Sequence, residues 1–300
     1  TDQVTVDGSL YELPFRSDYW LIYYNKDVFD AAGIAYPSND MTIEDYDALA
    51  RQLTDTTYGS QVYGCHYHTW RSAVELFGIL DGKHSILDGN YDWMIPYYDM
   101  ILSEEDDGVC QTYTDLSTEG LHYSAAFSNG NVAMMNMGSW FISTLISNLD
   151  SGEYDSSLCG NWGIASYPHP DGAEAGSTIA TITGLAVTSA SENKDAAFDF
   201  VNWVSGTEGA KVMASTGNFP AIMTDDVINT IAGMAGFPTD EGSKEALNIT
   251  NAYLEVPYAE NVSEINSILD TYHTSIMNRE VTVEEGVASM NEQVGKILNQ

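Results

Sequence analysis

The sequence predicts an α/β fold, and three observations carry that prediction. Short β-branched and aromatic runs alternate with stretches of helical periodicity, helix candidates outnumber strand candidates, and the first strand candidate feeds directly into a helix. No fixed-period repeat or low-complexity linker breaks the chain. A sandwich or a bundle would show one of the two patterns without the other.

The opening stretch LYELPFRSDYWLIYYNKDVFDAAGI, residues 10–34, sets the pattern. YWLIYY at 19–24 reads as a buried strand, and NKDVFDAAG turns into a short helix stopped by Gly33. Thr42, Ile43, Glu44 and Asp45 resemble a capped start for a helix over about 43–54, with Tyr46, Leu49, Ala50 and Leu53 at helical spacing. Helices are predicted over 71–80, ended by the Asp81-Gly82 turn, and over 91–103. Ala125 to Phe127 close another helix, Asn129-Gly130 make a tight turn, and VAMMNM at 132–137 is a buried strand ending at Gly138. Trp140 then falls just past a strand's C-terminal end and opens a new helix. A short strand starts at 162, and 178–189 is extended with Gly184 in its middle. A helix opening at 191–194 carries Ala196, Ala197, Phe200, Val201 and Val204 on one face. Further helices are predicted over 208–218, 225–233, 243–254, 261–278 and 282–299.

Composition excludes several classes. A chain of 300 residues can bury a large core in one domain or two lobes. No stretch reaches the roughly 20 apolar residues of a membrane helix. Ten Lys and Arg against 44 Asp and Glu give a formal charge of −34, which repels phosphate backbones, so nucleic acid is not an expected partner. The acids are spread along the chain, as on a solvated surface, and the EEDD run at 104–107 lacks EF-hand spacing. Cys65, Cys110 and Cys159 contain no CxxC pair, which argues against a zinc ribbon or a thioredoxin-like site and leaves one disulfide open.

Candidate chemistry is sparse. The loops GxGxxG and GxxxxGK[ST] and the motifs GxSxG and HExxH are absent. His66 and His68, two apart, would share one side of a strand and could hold a metal; with no third ligand in view, hydrogen-bonded pocket or surface roles are the plainer reading. Paired carboxylates for glycoside cleavage require a spatial separation that 44 scattered acids do not reveal. The aromatics are more pointed. Tyr19, Trp20, Tyr67, Trp70, Trp140 and Phe141 fall at strand edges or in loops beside polar groups, where a flat ring can cover the CH face of a sugar while carboxylates take its hydroxyls. Core packing is the competing reading for each.

Five ordered blocks resemble the family 1 extracellular solute-binding proteins, the sugar receptors of ABC importers. They are the opening stretch, AAFSNGNVAMMNMGSWFI, WGIASYPHP, TITGLAVTSASENKDAAFDFVNWVSGTEG and MNREVTVEEGVASMNEQVGKIL. The resemblance implies two α/β lobes of periplasmic-binding-protein type, joined by hinge crossovers and closing on a solute between them. In that family the opening block follows roughly 100 residues that build most of the first lobe. The implied division is 1–18 as the remainder of the first lobe, 19–180 as the second, 181–222 as a return to the first, and 223–300 as the second again. Arg16, Ser17 and Asp18 then mark the passage past the cleft.

The resemblance also implies roles. Asp18 matches a position of acidic or polar ligand contact and is the first choice for a sugar-anchoring group, with Tyr19 beside it. Trp140 matches the aromatic that stacks on a pyranose. Thr183 and Gly184 match the second hinge passage, where small residues let backbone N–H groups approach the ligand. His66, Trp70 and Arg71 lie in a variable region. The expected function is that of an extracellular, lipid-anchored or periplasmic receptor, monomeric, which delivers a carbohydrate to ABC permease subunits with no enzymatic step, cofactor or metal. A polyamine receptor and a glycoside hydrolase are the alternatives.

Overall fold

In the computed structural model, which describes residues 4–54 and 61–299, one long strand organises the molecule. After a small hairpin of β1 (Thr5–Val6) and β2 (Ser9–Leu10), strand β3 runs from Leu13 to Asn25. It is twice the length expected from YWLIYY alone, because its first half is stitched to other segments by backbone hydrogen bonds that no local apolar pattern announces. Leu13 to Tyr19 pair antiparallel with β7 (Thr178–Leu185). On the other edge, Ser17 N–H donates to Phe219 O at 3.1 Å and Ala221 N–H to Phe15 O at 3.0 Å. The second half pairs with β5 (Val132–Gly138) on one side and β6 (Trp162–Ser166) on the other. β4 (Tyr63–His66) adds parallel to β5, and β8 (Ala252–Leu254) parallel to β7.

The pleat of β3 sorts side chains onto two cores. Trp20, Ile22 and Tyr24 face one cluster, closed by α1 (Lys26–Ala32), α2 (Ile43–Leu53), α3 (Ser72–Ile79), α4 (Ile95–Asp106) and the C-terminal pair α13 (Val262–Met277) and α14 (Val283–Leu298). Leu21 and Tyr23 face the other, with Phe127, Phe141, Ile231 and Phe237. Five helices lie between α4 and β7 or just beyond: α5 (Tyr113–Glu119), α6 (Tyr123–Ser128), α7 (Trp140–Ser151), α8 (Ser156–Cys159) and α9 (Lys194–Val204). The rest are α10 (Thr207–Ala214), α11 (Asp225–Ala232) and α12 (Glu241–Glu245).

Local chemistry accounts for the clearest boundaries. Thr42 and Asp45 form a reciprocal capping box at α2, as do Thr282 and Glu285 at α14. α1 ends at Gly33 with φ +69°, a left-handed residue that glycine adopts without a Cβ penalty. The expected helix over 243–254 is a correction. Only the short α12 forms there, and 252–254 are strand β8, because Thr178 N–H donates to Asn251 O at 2.9 Å and Glu255 N–H to Ala180 O at 3.1 Å. Pairing to β7 overrides helix propensity. Of the face predicted for α9, Val201 is buried, but Phe200 is 62% exposed. No helix among the described residues is long and apolar enough to cross a membrane.

Candidate functional site

A cleft of about 480 Å³ opens where β3 passes from one half to the other. That is the size of a small-molecule site. Trp20, the first residue of the strand's second half, is 3% exposed and forms its floor. Trp140, at the first turn of α7, meets Trp20 edge to face with ring centroids 5.6 Å apart. Trp70, just before α3, completes the set at 6.4 Å from Trp20 and 6.3 Å from Trp140, and is 41% exposed. Trp140 is placed by Gly138, since a Cβ there would stand 2.0 Å from the indole ring.

Polar groups converge on these rings. Glu255, immediately after β8, accepts from Trp20 Nε1 at 3.2 Å and Thr181 Oγ1 at 2.6 Å. Burial raises its pKa, reinforced by the neighbouring charge of Glu75. Arg71 is a hub. Its guanidinium meets Glu75 at 2.6 Å, the Asn266 amide oxygen at 2.6 Å and the Asn266 carbonyl at 3.1 Å, and it pairs with Asp270. This network ties α3 to α13 at the cleft lining. His273, on the same helix, sits 3.0 Å from the Tyr98 hydroxyl, and burial pushes its pKa down to about 3, so the ring is neutral at ordinary pH.

Of the residues expected at the site, Trp70, Arg71 and Trp140 line this cleft together. Asp18 does not line it. Its carboxylate is 2.6 Å from Arg16 Nε and accepts from the Ser139 hydroxyl at 2.9 Å, so it braces the turn that presents Trp140. Tyr19 points to the other face, against Phe219. His66 is 1% exposed in β4, with its pKa lowered to about 3 by burial and by His68. Neither histidine belongs to a three-ligand group among the described residues. Thr183 and Gly184 pair with Arg16 and Pro14, while the cleft takes Thr181, two residues earlier.

Glu255, Asn266 and Asp270 were missed by sequence reasoning. Glu255 followed a stretch read as helix, and the α13 residues lie nearly 200 positions from the arginine they hold. The one available signal was an acid directly after Tyr253-Leu254, next to aromatic residues.

A mixed sheet thus carries an aromatic, carboxylate-bearing cleft at a strand crossover. The chain belongs to the bacterial extracellular solute-binding protein family, whose family model matches residues 1–211. Over 98% of its length it resembles a sugar transporter from Rhizobium etli solved in an open conformation, with 48% identity and a TM-score of 0.91, covering 74% of that chain. An ABC substrate-binding protein from Listeria monocytogenes in complex with cycloalternan shares the fold, at 22% identity and a TM-score of 0.79, with 99% of this chain and 74% of that one covered. The mannitol-binding protein of Pseudomonas aeruginosa is 24% identical over 221 residues, which is 71% of this chain. The chain spans 49% of the length of that curated relative.

Proposed function

We propose that the protein is a carbohydrate receptor that captures a sugar or sugar alcohol outside the cell and presents it to the permease of an ABC importer. The observation that carries this reading is the cleft in which Trp20, Trp70 and Trp140 stand beside Thr181, Glu255 and the Arg71–Asn266–Asp270 network. Indole faces suit the CH side of a pyranose, and charged acceptors suit its hydroxyls. Stacking adds about 0.5–1.5 kcal/mol beyond area burial, and a charge-assisted hydrogen bond about 1.5–3 kcal/mol, so a few of each reach the roughly −8 kcal/mol of micromolar binding.

The relatives support the class, since those named above are a sugar transporter, a cycloalternan complex and a mannitol-binding protein. The protein acts as a monomer, held at the cell surface or in the periplasm, and leaves its ligand intact. The cleft's carboxylates already accept hydrogen bonds from Trp20, Thr181 and Arg71, which suits holding a ligand better than proton transfer. Closure of the cleft on the ligand would shift a two-state equilibrium by contacts made only in the closed form. One observation favours a second reading. Glu75, Glu255 and Asp270 outnumber Arg71 in the cleft, which also suits a cationic solute such as a polyamine over the indole faces.

Calorimetric titration with mannitol, neutral mono- and oligosaccharides and spermidine separates the readings. Saturable binding of a neutral carbohydrate is expected. Binding of spermidine alone would transfer the site to cations, and chromatographic detection of cleaved oligosaccharide would make the protein an enzyme.

A further inference from the structure

Cys65, in β4, and Cys110, after α4, both lie in the first core cluster and outside the cleft lining. They are 0% and 3% exposed, and both are free thiols in this structure. Their sulfurs and a carboxylate oxygen of Glu104 all lie within 4.8 Å of one another. The chain segments run side by side at this point, since Cys65 N–H donates to Val109 O at 3.4 Å. The third cysteine is in the other cluster, where Cys159 Sγ contacts Asp155 O at 3.7 Å. Only one of the three possible pairings is therefore within reach.

We infer that Cys65 and Cys110 are a disulfide pair that closes when the chain folds in an oxidising compartment, leaving Cys159 as the single free thiol. The family is extracellular, which is the setting in which disulfides persist. The bond would draw two sulfurs that lie within 4.8 Å of each other to about 2 Å. Two S–H bonds are lost and one S–S bond forms. The two protons and two electrons pass to an external disulfide, glutathione disulfide or that of an oxidoreductase, which leaves as two thiols. With both sulfurs shut off from solvent, exchange takes place before the core closes over β4.

A metal is the competing occupant of this triangle. Structural zinc takes four ligands and the described residues offer three here, whereas a disulfide needs only the two sulfurs. The site already resists ionisation. Burial pushes Glu104 up to about 8 and raises the Cys65 thiol; at Cys110 the hydrogen bond with Cys65 pulls downward, yet burial and the nearby carboxylates leave that thiol raised as well.

The test is oxidative refolding of the full chain from the reduced, denatured state in a glutathione redox buffer, followed by thiol titration in denaturant and a non-reducing peptide map. One thiol per chain and a cross-linked Cys65–Cys110 peptide are expected. Cys159→Ser should show no thiol, and Cys65→Ser or Cys110→Ser two. Reductant should lower the melting temperature of the oxidised wild type by several degrees and leave that of Cys110→Ser unchanged. The wild-type and Cys159→Ser measurements decide the matter if the other variants do not fold. Three thiols in natively refolded wild type, a bridge to Cys159, or zinc added to the reduced protein and held by thiols that then resist oxidation would each overturn the inference. Carbohydrate binding plays no part in any of these readouts, so the receptor reading stands or falls separately.

Discussion

Helices α14 and α9 are both amphipathic, and they end differently. α14 buries Val283, Val287, Met290, Val294 and Ile297 against the first core. α9 buries Val201 alone, while Phe198, Phe200 and Trp203 are 54%, 62% and 51% exposed. Periodicity specifies a face in each case; it does not supply the partner that covers it. The same contrast runs through β3. Its second half lies between two cores, and its first half is held chiefly by backbone pairing to β7 and to the stretch around Phe219. The cleft sits at the junction, with its aromatic floor anchored on the well-packed side.

The contrast predicts unequal responses to one kind of substitution. Met290→Ala, at a site with no exposure, should lower unfolding free energy by about 2–5 kcal/mol in a denaturant titration, and Phe200→Ala by less than about 0.5 kcal/mol. A large loss at Phe200 would mean that the α9 face is covered in solution, and the comparison would break.

Titration should act on the packed side. The unfolded chain releases the Glu104 proton near the ordinary carboxylate value of 4.5, and the folded chain keeps it to about 8. The folded state binds more protons between those values, so stability should fall as pH rises through that window, by at most about 1.4 kcal/mol per pH unit. Glu104→Gln should flatten the slope measured by denaturation at a series of pH values. His273 works in the opposite sense at lower pH. Burial depresses its pKa to about 3, so its contribution is present above the unfolded value of 6.5 and is lost on acidification through that range.

Binding should divide in the same way. Gly138→Ala, by displacing the Trp140 ring, should weaken carbohydrate binding roughly 10-fold or more, a cost of about 1.4 kcal/mol. Trp203→Ala should leave it unchanged. The smallest effect is expected on the surface: removing the exposed Lys211–Glu208 pair on α10 should produce no measurable change in the unfolding midpoint.

What was legible in the sequence follows this division. Thr42 and Asp45 announced α2 because a capping box is local. Trp140 was placed correctly at a strand end because Gly138 and the apolar run before it are contiguous. Glu255 was not, because β8 exists only through its pairing with β7. Asp18, which the resemblance places at the ligand, is held by Arg16 and by Ser139. Ser139 lies 121 positions away in sequence, so no spacing rule connects it to Asp18. Arg71 was singled out without its role, since the residues that orient it arrive on α13.

The most direct measurement is a calorimetric titration of wild type and Trp140→Ala with a panel of neutral sugars and sugar alcohols. Micromolar, saturable binding of at least one neutral carbohydrate, weakened 10-fold or more in the variant, is the predicted result. Wild-type protein that binds none of them, or a variant that binds as tightly as wild type, would contradict the tryptophan cleft as the site of capture.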